Sequence, residues 1–584
     1  MNDSRRKTLP ALVTLLLLLA VVEWDVTPRN VARAEEATGP VESARPVAPP
    51  LPEPAPRPPL HPHIDELIAA RLNGATAAPQ SDDAEFLRRA YLDLAGRIPS
   101  ATEAREFLAD SASDKRERLI DALLAGPDYP RRMRELFHAM LLERRGENDE
   151  WTAFLQNAFE RNLPWHRIAR AILNPNSNDE RLRGAAFFMT QRLVKEGAMA
   201  PVDVPGLTRD VARLLAGVDL ECAQCHNHLT ISDYSQQDFQ GLHMIFENVK
   251  TRTDLKFPAV SEGVLADKKE FKSVFEQVAM TTGPLIPGGT EVAIPKFEKG
   301  QEYLVEPDRK KRTPGVPKFS PLESLSEHLA SSQNDLFTRN IVNRLWFAMM
   351  GRGLVQPLDL HHSENPPSHP KLLDLLASEF AASGFNIRWL LREMALSKTY
   401  QRTTRLPYAS AAEQPVESYA VGLEKRLSPE QLFWSLITAT GDLDRHRTRL
   451  KEAGKPAATG DDIVNQTPEL TALKKAMVDT FANPPKEPEV DFAPSVKGAL
   501  FLMHEDRILE RLKPQTGNLV ERAAAQGDAD VVRELFLSVF SRNPTDDELA
   551  SLTDYLKQNS DRRDDAVANL TWALLTSTEF VVNH

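Results

Sequence analysis

Cys222 and Cys225 are the only cysteines in 584 residues, and they stand in the run Glu221-Cys-Ala-Gln-Cys-His-Asn-His228. The spacing C-x-x-C-H is the attachment signature of c-type haem, in which two thiols bond the porphyrin vinyl groups and the following histidine takes an axial iron position. With two cysteines placed at random, this separation followed by histidine arises by chance about once in ten thousand. On this reading Cys222 and Cys225 hold haem c and His226 is the proximal iron ligand. Met244 or His243 is the nearest candidate in sequence for a distal ligand.

The same residues admit other chemistry. Cys222, Cys225, His228 and His243 form C-x2-C-x2-H-x14-H, four ligands suited to a tetrahedral zinc site. A bare Cys222–Cys225 disulfide, either a redox dithiol or a structural staple, is the third reading; the alternative function is a non-enzymatic exported binding or scaffold protein whose cysteine pair is a structural disulfide, with no cofactor, or part of the zinc site. Asp359, His361, His362, Glu364 and His369 form a second polar cluster. A metal site there competes with the commoner role of a solvated loop. Nucleophile elbows, phosphate loops and zincin motifs are absent from the sequence, so no catalytic residue is assigned.

The elements that must position these residues are mostly helical. Ile64, Leu67, Ile68 and Leu72 recur at helical spacing, as do Phe86, Leu87, Ala90 and Leu94, and the pattern predicts helices through residues 63–254. Ser100-Ala-Thr-Glu103 and Thr545-Asp-Asp-Glu548 read as capping boxes, and Ser428 caps a helix with Pro429 at its first position. A helix over Thr208 to about Val218 leads into the cysteines. Residues 255–320 break into short β-like runs with turn residues, a small β-rich module. Residues 321–584 are helical again, with 446–490 read as a mobile polar insertion. The expected fold is therefore mainly α, a multi-helical two-domain protein with a small β-containing module between the helical parts.

Arg5, Arg6 and Lys7 precede the apolar run Leu9 to Val22, and Ala32-Arg-Ala34 follows as a small-x-small cleavage site. This predicts a signal peptide at 1–34 and an exported protein, periplasmic, secreted or at the cell surface. The run is shorter than a bilayer span, and no later stretch is long and apolar enough for one. Residues 35–62 are proline-rich and read as an extended linker. A formal charge of −12 argues against nucleic-acid partners, which need clustered cations to neutralise phosphates. Redox or cell-envelope proteins remain as partners.

Two sets of motifs resemble known families. Phe86-Leu-Arg-Arg-Ala-Tyr-Leu-Asp-Leu-Ala-Gly-Arg-Ile-Pro-Ser100 and Leu220-Glu-Cys-Ala-Gln-Cys-His-Asn-His228 resemble the DUF1549 domain, also called the planctomycete cytochrome-C-like PSCyt2 domain. Asn340-Ile-Val-Asn-Arg-Leu-Trp-Phe-Ala-Met-Met-Gly351, Asn365-Pro-Pro-Ser-His-Pro370, Ser397-Lys-Thr-Tyr400 and the ending Ser577-Thr-Glu-Phe-Val-Val-Asn-His584 resemble its usual partner, DUF1553 or PSD1. The resemblance implies an exported bacterial protein of a family without an established activity. It also shows a departure: the family usually continues its CxxCH with Asp, His, Pro and Phe, whereas Asn227-His-Leu-Thr230 stands here.

Overall fold

Helices are capped where the sequence places capping residues. In the computed structural model Ser100, Ser428 and Thr545 each accept from the backbone three residues on, and Glu103, Gln431 and Glu548 reach back to complete the boxes. Each such cap is worth about 1 kcal/mol. The structure describes residues 57–72, 76–193, 202–275, 278–405, 415–456, 459–488 and 496–584. The signal segment 1–34 and most of the proline-rich stretch lie outside the described residues.

The protein is mainly α-helical. The strands form only two-stranded antiparallel ladders, and three of the four fall between Val249 and Pro317: Val249–Thr251 with Val260–Glu262, Lys269–Lys272 with Ala279–Thr282, and Tyr303–Val305 with Val316–Pro317. This is the expected small β-containing module. The fourth ladder joins Lys425–Arg426 to Val582–Asn583. No described helix is long and apolar enough to cross a membrane.

Hydrophobic burial does not divide at the boundary between the two helical parts. One core takes residues from Leu60 to Tyr419 together with Leu537, and within it Trp165 stacks on Phe337 with ring centroids 6.0 Å apart. A second core gathers Leu427 to Phe580 and recruits Leu92 and Ile98 from the first part. Buried Arg88 ties them further by donating to the carbonyls of Val539, Phe580 and Val582. The two expected domains therefore share their cores.

Two segments hold more regular structure than their composition suggests. Within 446–490, expected as a mobile polar insertion, the described residues hold the end of helix Asp442–Glu452, then helices Gly460–Asn465 and Pro468–Phe481. Leu470, Leu473 and Met477 recur at helical spacing and are fully buried in the second core, so burial outweighs the polar composition. The end of the proline-rich stretch is also part of the folded body. Arg57 pairs with Glu379 at 2.7 Å, and the backbone of Leu60 donates to Glu393 at 2.7 Å just before helix His61–Ala69.

Candidate functional site: the Cys222–His226 turn

The chain reaches the cysteines from helix Val204–Val211, which widens into a π turn at Ala212–Ala216 and ends at Gly217 with φ of +71°. A Cβ at Gly217 would lie 2.6 Å from His361 Cδ2 and 3.0 Å from Asn340 Oδ1. Glycine is required there both by the left-handed backbone and by the close approach. Val218 then pairs with Leu360, and the amide of His361 donates to the Gly217 carbonyl at 3.0 Å.

Cys222–Gln224 is a 3-10 turn, and the amides of Cys225 and His226 both reach back to the Cys222 carbonyl, at 3.3 and 3.4 Å. One helical turn thus carries Cys222, Cys225 and His226 at positions i, i+3 and i+4, which share a face. Both cysteines are exposed and neither is bonded to the other. Ala223 is buried beneath them.

Helix Gln236–Glu247 holds this turn from behind. Gln236 Nε2 donates to the carbonyls of Cys225 and Lys272 at 3.0 and 3.1 Å, and Gln240 Nε2 donates to the Gln224 carbonyl at 3.1 Å. Arg209 adds a 2.6 Å bond to Gln224 Oε1, and the amide of Val274 donates to the Cys225 carbonyl at 3.1 Å. The turn is therefore fixed through its backbone, leaving its reactive side chains at the surface.

His226 Nδ1 lies 2.6 Å from the Asn227 carbonyl oxygen. A carbonyl only accepts, so Nδ1 carries the proton and Nε2 presents its lone pair. The ring packs at 4.7 Å against Phe275. Phe275, Val274 and Leu229 are 66, 59 and 77% exposed, and the first two adjoin the turn through the His226 ring and the Cys225 carbonyl.

The other proposed ligands are placed differently. His228 Nδ1 accepts from the Ile231 amide at 3.0 Å, which consigns the ring proton to Nε2. His243 Nδ1 lies 2.9 Å from Lys269 Nζ and 3.2 Å from Glu247, whose carboxyl His243 and Lys269 hold down to about 2. Met244 is buried. Among the described residues no three His, Cys, Asp or Glu side chains gather into a metal group, so the set Cys222, Cys225, His228 and His243 is not assembled.

The cluster after Asp359 is a clasp, a role the sequence reading missed. Asp359 pairs with Arg213 at 3.1 Å and with Arg344. Ser363 donates through its amide and hydroxyl to Asp233 at 2.8 and 2.7 Å, which lowers the pKa of that carboxyl. Tyr234 donates to the His361 carbonyl at 3.2 Å and meets His362 edge-on. The loop thereby grips the chain on both sides of the cysteine turn. His361 itself is buried and its pKa is pushed down to about 4, by burial first and then by Arg344. His369 is also buried and held at about 4 by the same cause. The signal available in sequence was the concentration of polar residues; the partners Arg213, Asp233 and Tyr234, more than a hundred positions upstream, left no local pattern.

A mainly helical body carrying a surface CxxCH turn, clasped by a loop of its second half, defines a protein built from two interlocked segments. The chain is a DUF1549–DUF1553 family protein: residues 63–251 match PSCyt2, a protein of unknown function (DUF1549), and residues 323–556 match PSD1, a protein of unknown function (DUF1553). No curated protein and no solved structure matches it.

Proposed function

We propose that the protein is an exported redox component carrying c-type haem on Cys222 and Cys225, with His226 as proximal ligand. The observation that carries this reading is the disposition of one turn: two exposed thiols and a histidine whose Nδ1–H is engaged by a backbone carbonyl. That hydrogen bond sets the tautomer in which Nε2 is the ligand and raises its basicity. Bound haem supplies one-electron redox chemistry. Phe275, Val274 and Leu229 would cover part of its apolar face, since exposed apolar side chains adjoining a polar turn mark a binding surface. The backbone bonds from Gln236, Gln240 and Val274 would hold the turn rigid, limiting reorganisation around the group. The basic, apolar and small-residue pattern of residues 1–34 supports export, the compartment in which such attachment takes place.

The test is a pyridine haemochrome spectrum of full-length protein co-expressed with a c-type maturation system, alongside the Cys222→Ser plus Cys225→Ser variant. The proposal expects about one covalent haem per chain in the first and none in the second. Absence of haem from the first overturns it. A mass two hydrogens short would then favour the disulfide-bearing scaffold.

A further inference from the structure

A cavity of about 360 Å³ lies well apart in sequence from the cysteine turn, between helices Asp128–Leu142 and Asp335–Met350 and the strand Lys425–Arg426. That volume falls in the range of small-ligand sites. Leu136, Met140, Leu345, Phe347 and Leu358 supply an apolar side.

The acidic residues of the lining have their own cations. Asp93 is met by Lys425 at 2.6 Å, Glu135 by Lys474 at 2.8 Å, Glu430 by Arg144 at 2.5 Å, and Glu143 by Arg213 at 2.6 Å. Lys425 is saturated, since it also donates to the carbonyls of Ala348 and Met349 at 2.9 and 2.8 Å. Arg344 is taken by Asp359 and by Asn340 Oδ1 at 3.0 Å. At the edge, Glu424 and Arg426 are exposed.

Arg132 is the exception. It is only 7% exposed and lines the cavity, yet its Nε reaches no more than the Asp93 carbonyl at 3.4 Å. Among the described residues its two terminal nitrogens have no carboxylate or carbonyl partner. Its stem passes over Gly96, where φ is +70° and a Cβ would lie 2.9 Å from Arg132 Cδ. The turn after Leu94 therefore leaves the room that the side chain occupies. Burial pulls its pKa below the usual value while Asp93, Glu135 and Glu430, none of them hydrogen-bonded to it through a carboxylate, act on it through space, and the guanidinium stays charged. Because Asp93, Glu135 and Glu430 are each hydrogen-bonded to another cation, the hydrogen-bonding capacity of the terminal nitrogens of Arg132 is left unused.

We propose that this cavity binds a small organic carboxylate with an apolar body, anchored by the two terminal nitrogens of Arg132. A planar guanidinium edge matches a carboxylate in paired hydrogen bonds. The apolar wall takes the remainder of the molecule. The site is independent of haem attachment.

The probe is octanoate, titrated calorimetrically into the full chain, with 1-octanol and octylamine as neutral and cationic controls of the same length. Saturable octanoate binding is expected, with both controls at least about tenfold weaker, the size of a lost charge-assisted hydrogen-bonded pair. Arg132→Met should weaken octanoate by a similar factor. Arg132→Lys should retain part of the binding. Ala139→Trp, which fills the cavity from the lining helix, should abolish binding with Arg132 in place, and it serves as the test if Arg132→Met fails to fold. Absence of saturable octanoate binding, equal binding of octanol, or unchanged binding in Arg132→Met or in Ala139→Trp would overturn the proposal.

Discussion

Asp359 Oδ2 lies 3.1 Å from Arg213 Nη1, across 146 residues of sequence and four positions before the glycine that admits the chain to the cysteine turn. The pair is mostly buried, and Arg213 also meets Glu143 at 2.6 Å and Asp210 at 3.0 Å. The DUF1553 segment thus holds the DUF1549 segment at the point where its one chemically distinctive motif begins.

Asp359→Ala leaves the Arg344 and Arg213 guanidiniums short of a buried anion, and a loss of about 3 kcal/mol is expected. Urea unfolding followed by circular dichroism reads the change. Hydrogen exchange should rise more in residues 217–235 than in the second core; equal rises would count against the clasp.

Gly217→Ala combines left-handed backbone strain with a Cβ 2.6 Å from His361 Cδ2. The strain alone costs about 1 kcal/mol, and displacing buried His361 adds to it. A drop in melting temperature is expected, together with looser packing of residues 359–364. A variant as stable as the parent would show that the close approach is not required.

Acid should weaken the fold through its buried histidines. The folded values of His361 and His369 are about 4, whereas an unfolded histidine titrates near 6.5. A folded value below the unfolded one means that the unfolded chain takes up the proton first as pH falls. The contribution of each is intact above about 6.5, declines down to about 4, and is constant below. His361→Gln should therefore lose less stability between pH 7 and pH 5 than the parent, by about 1–2 kcal/mol, measured as unfolding free energy at each pH. Parallel curves would refute the assignment.

Before any cofactor is attached, the exposed Cys222 and Cys225 should react with a thiol reagent in the native state as fast as in urea. Slow native reaction would mean that the turn is covered.

The location of the motif was legible because two cysteines in a long chain admit few patterns, and the mainly helical class was legible from apolar spacing such as Phe86, Leu87, Ala90 and Leu94. Helix Asp442–Glu452 was not, since only Leu443, His446 and Leu450 face inward beside Asp442 and its other positions are charged or polar. The clasp and the unbonded terminal nitrogens of Arg132 were also hidden. Both depend on which residues meet across the fold, and an arginine in sequence carries no sign of whether a carboxylate will reach it.

Whether haem is attached is read from the mass of the tryptic peptide Leu214–Lys250, taken under denaturing conditions from full-length protein made with c-type maturation. Haem attachment makes the peptide heavier by one haem, with the group localised by fragmentation to Cys222 and Cys225. An unmodified peptide, or one short of two hydrogens, would contradict it.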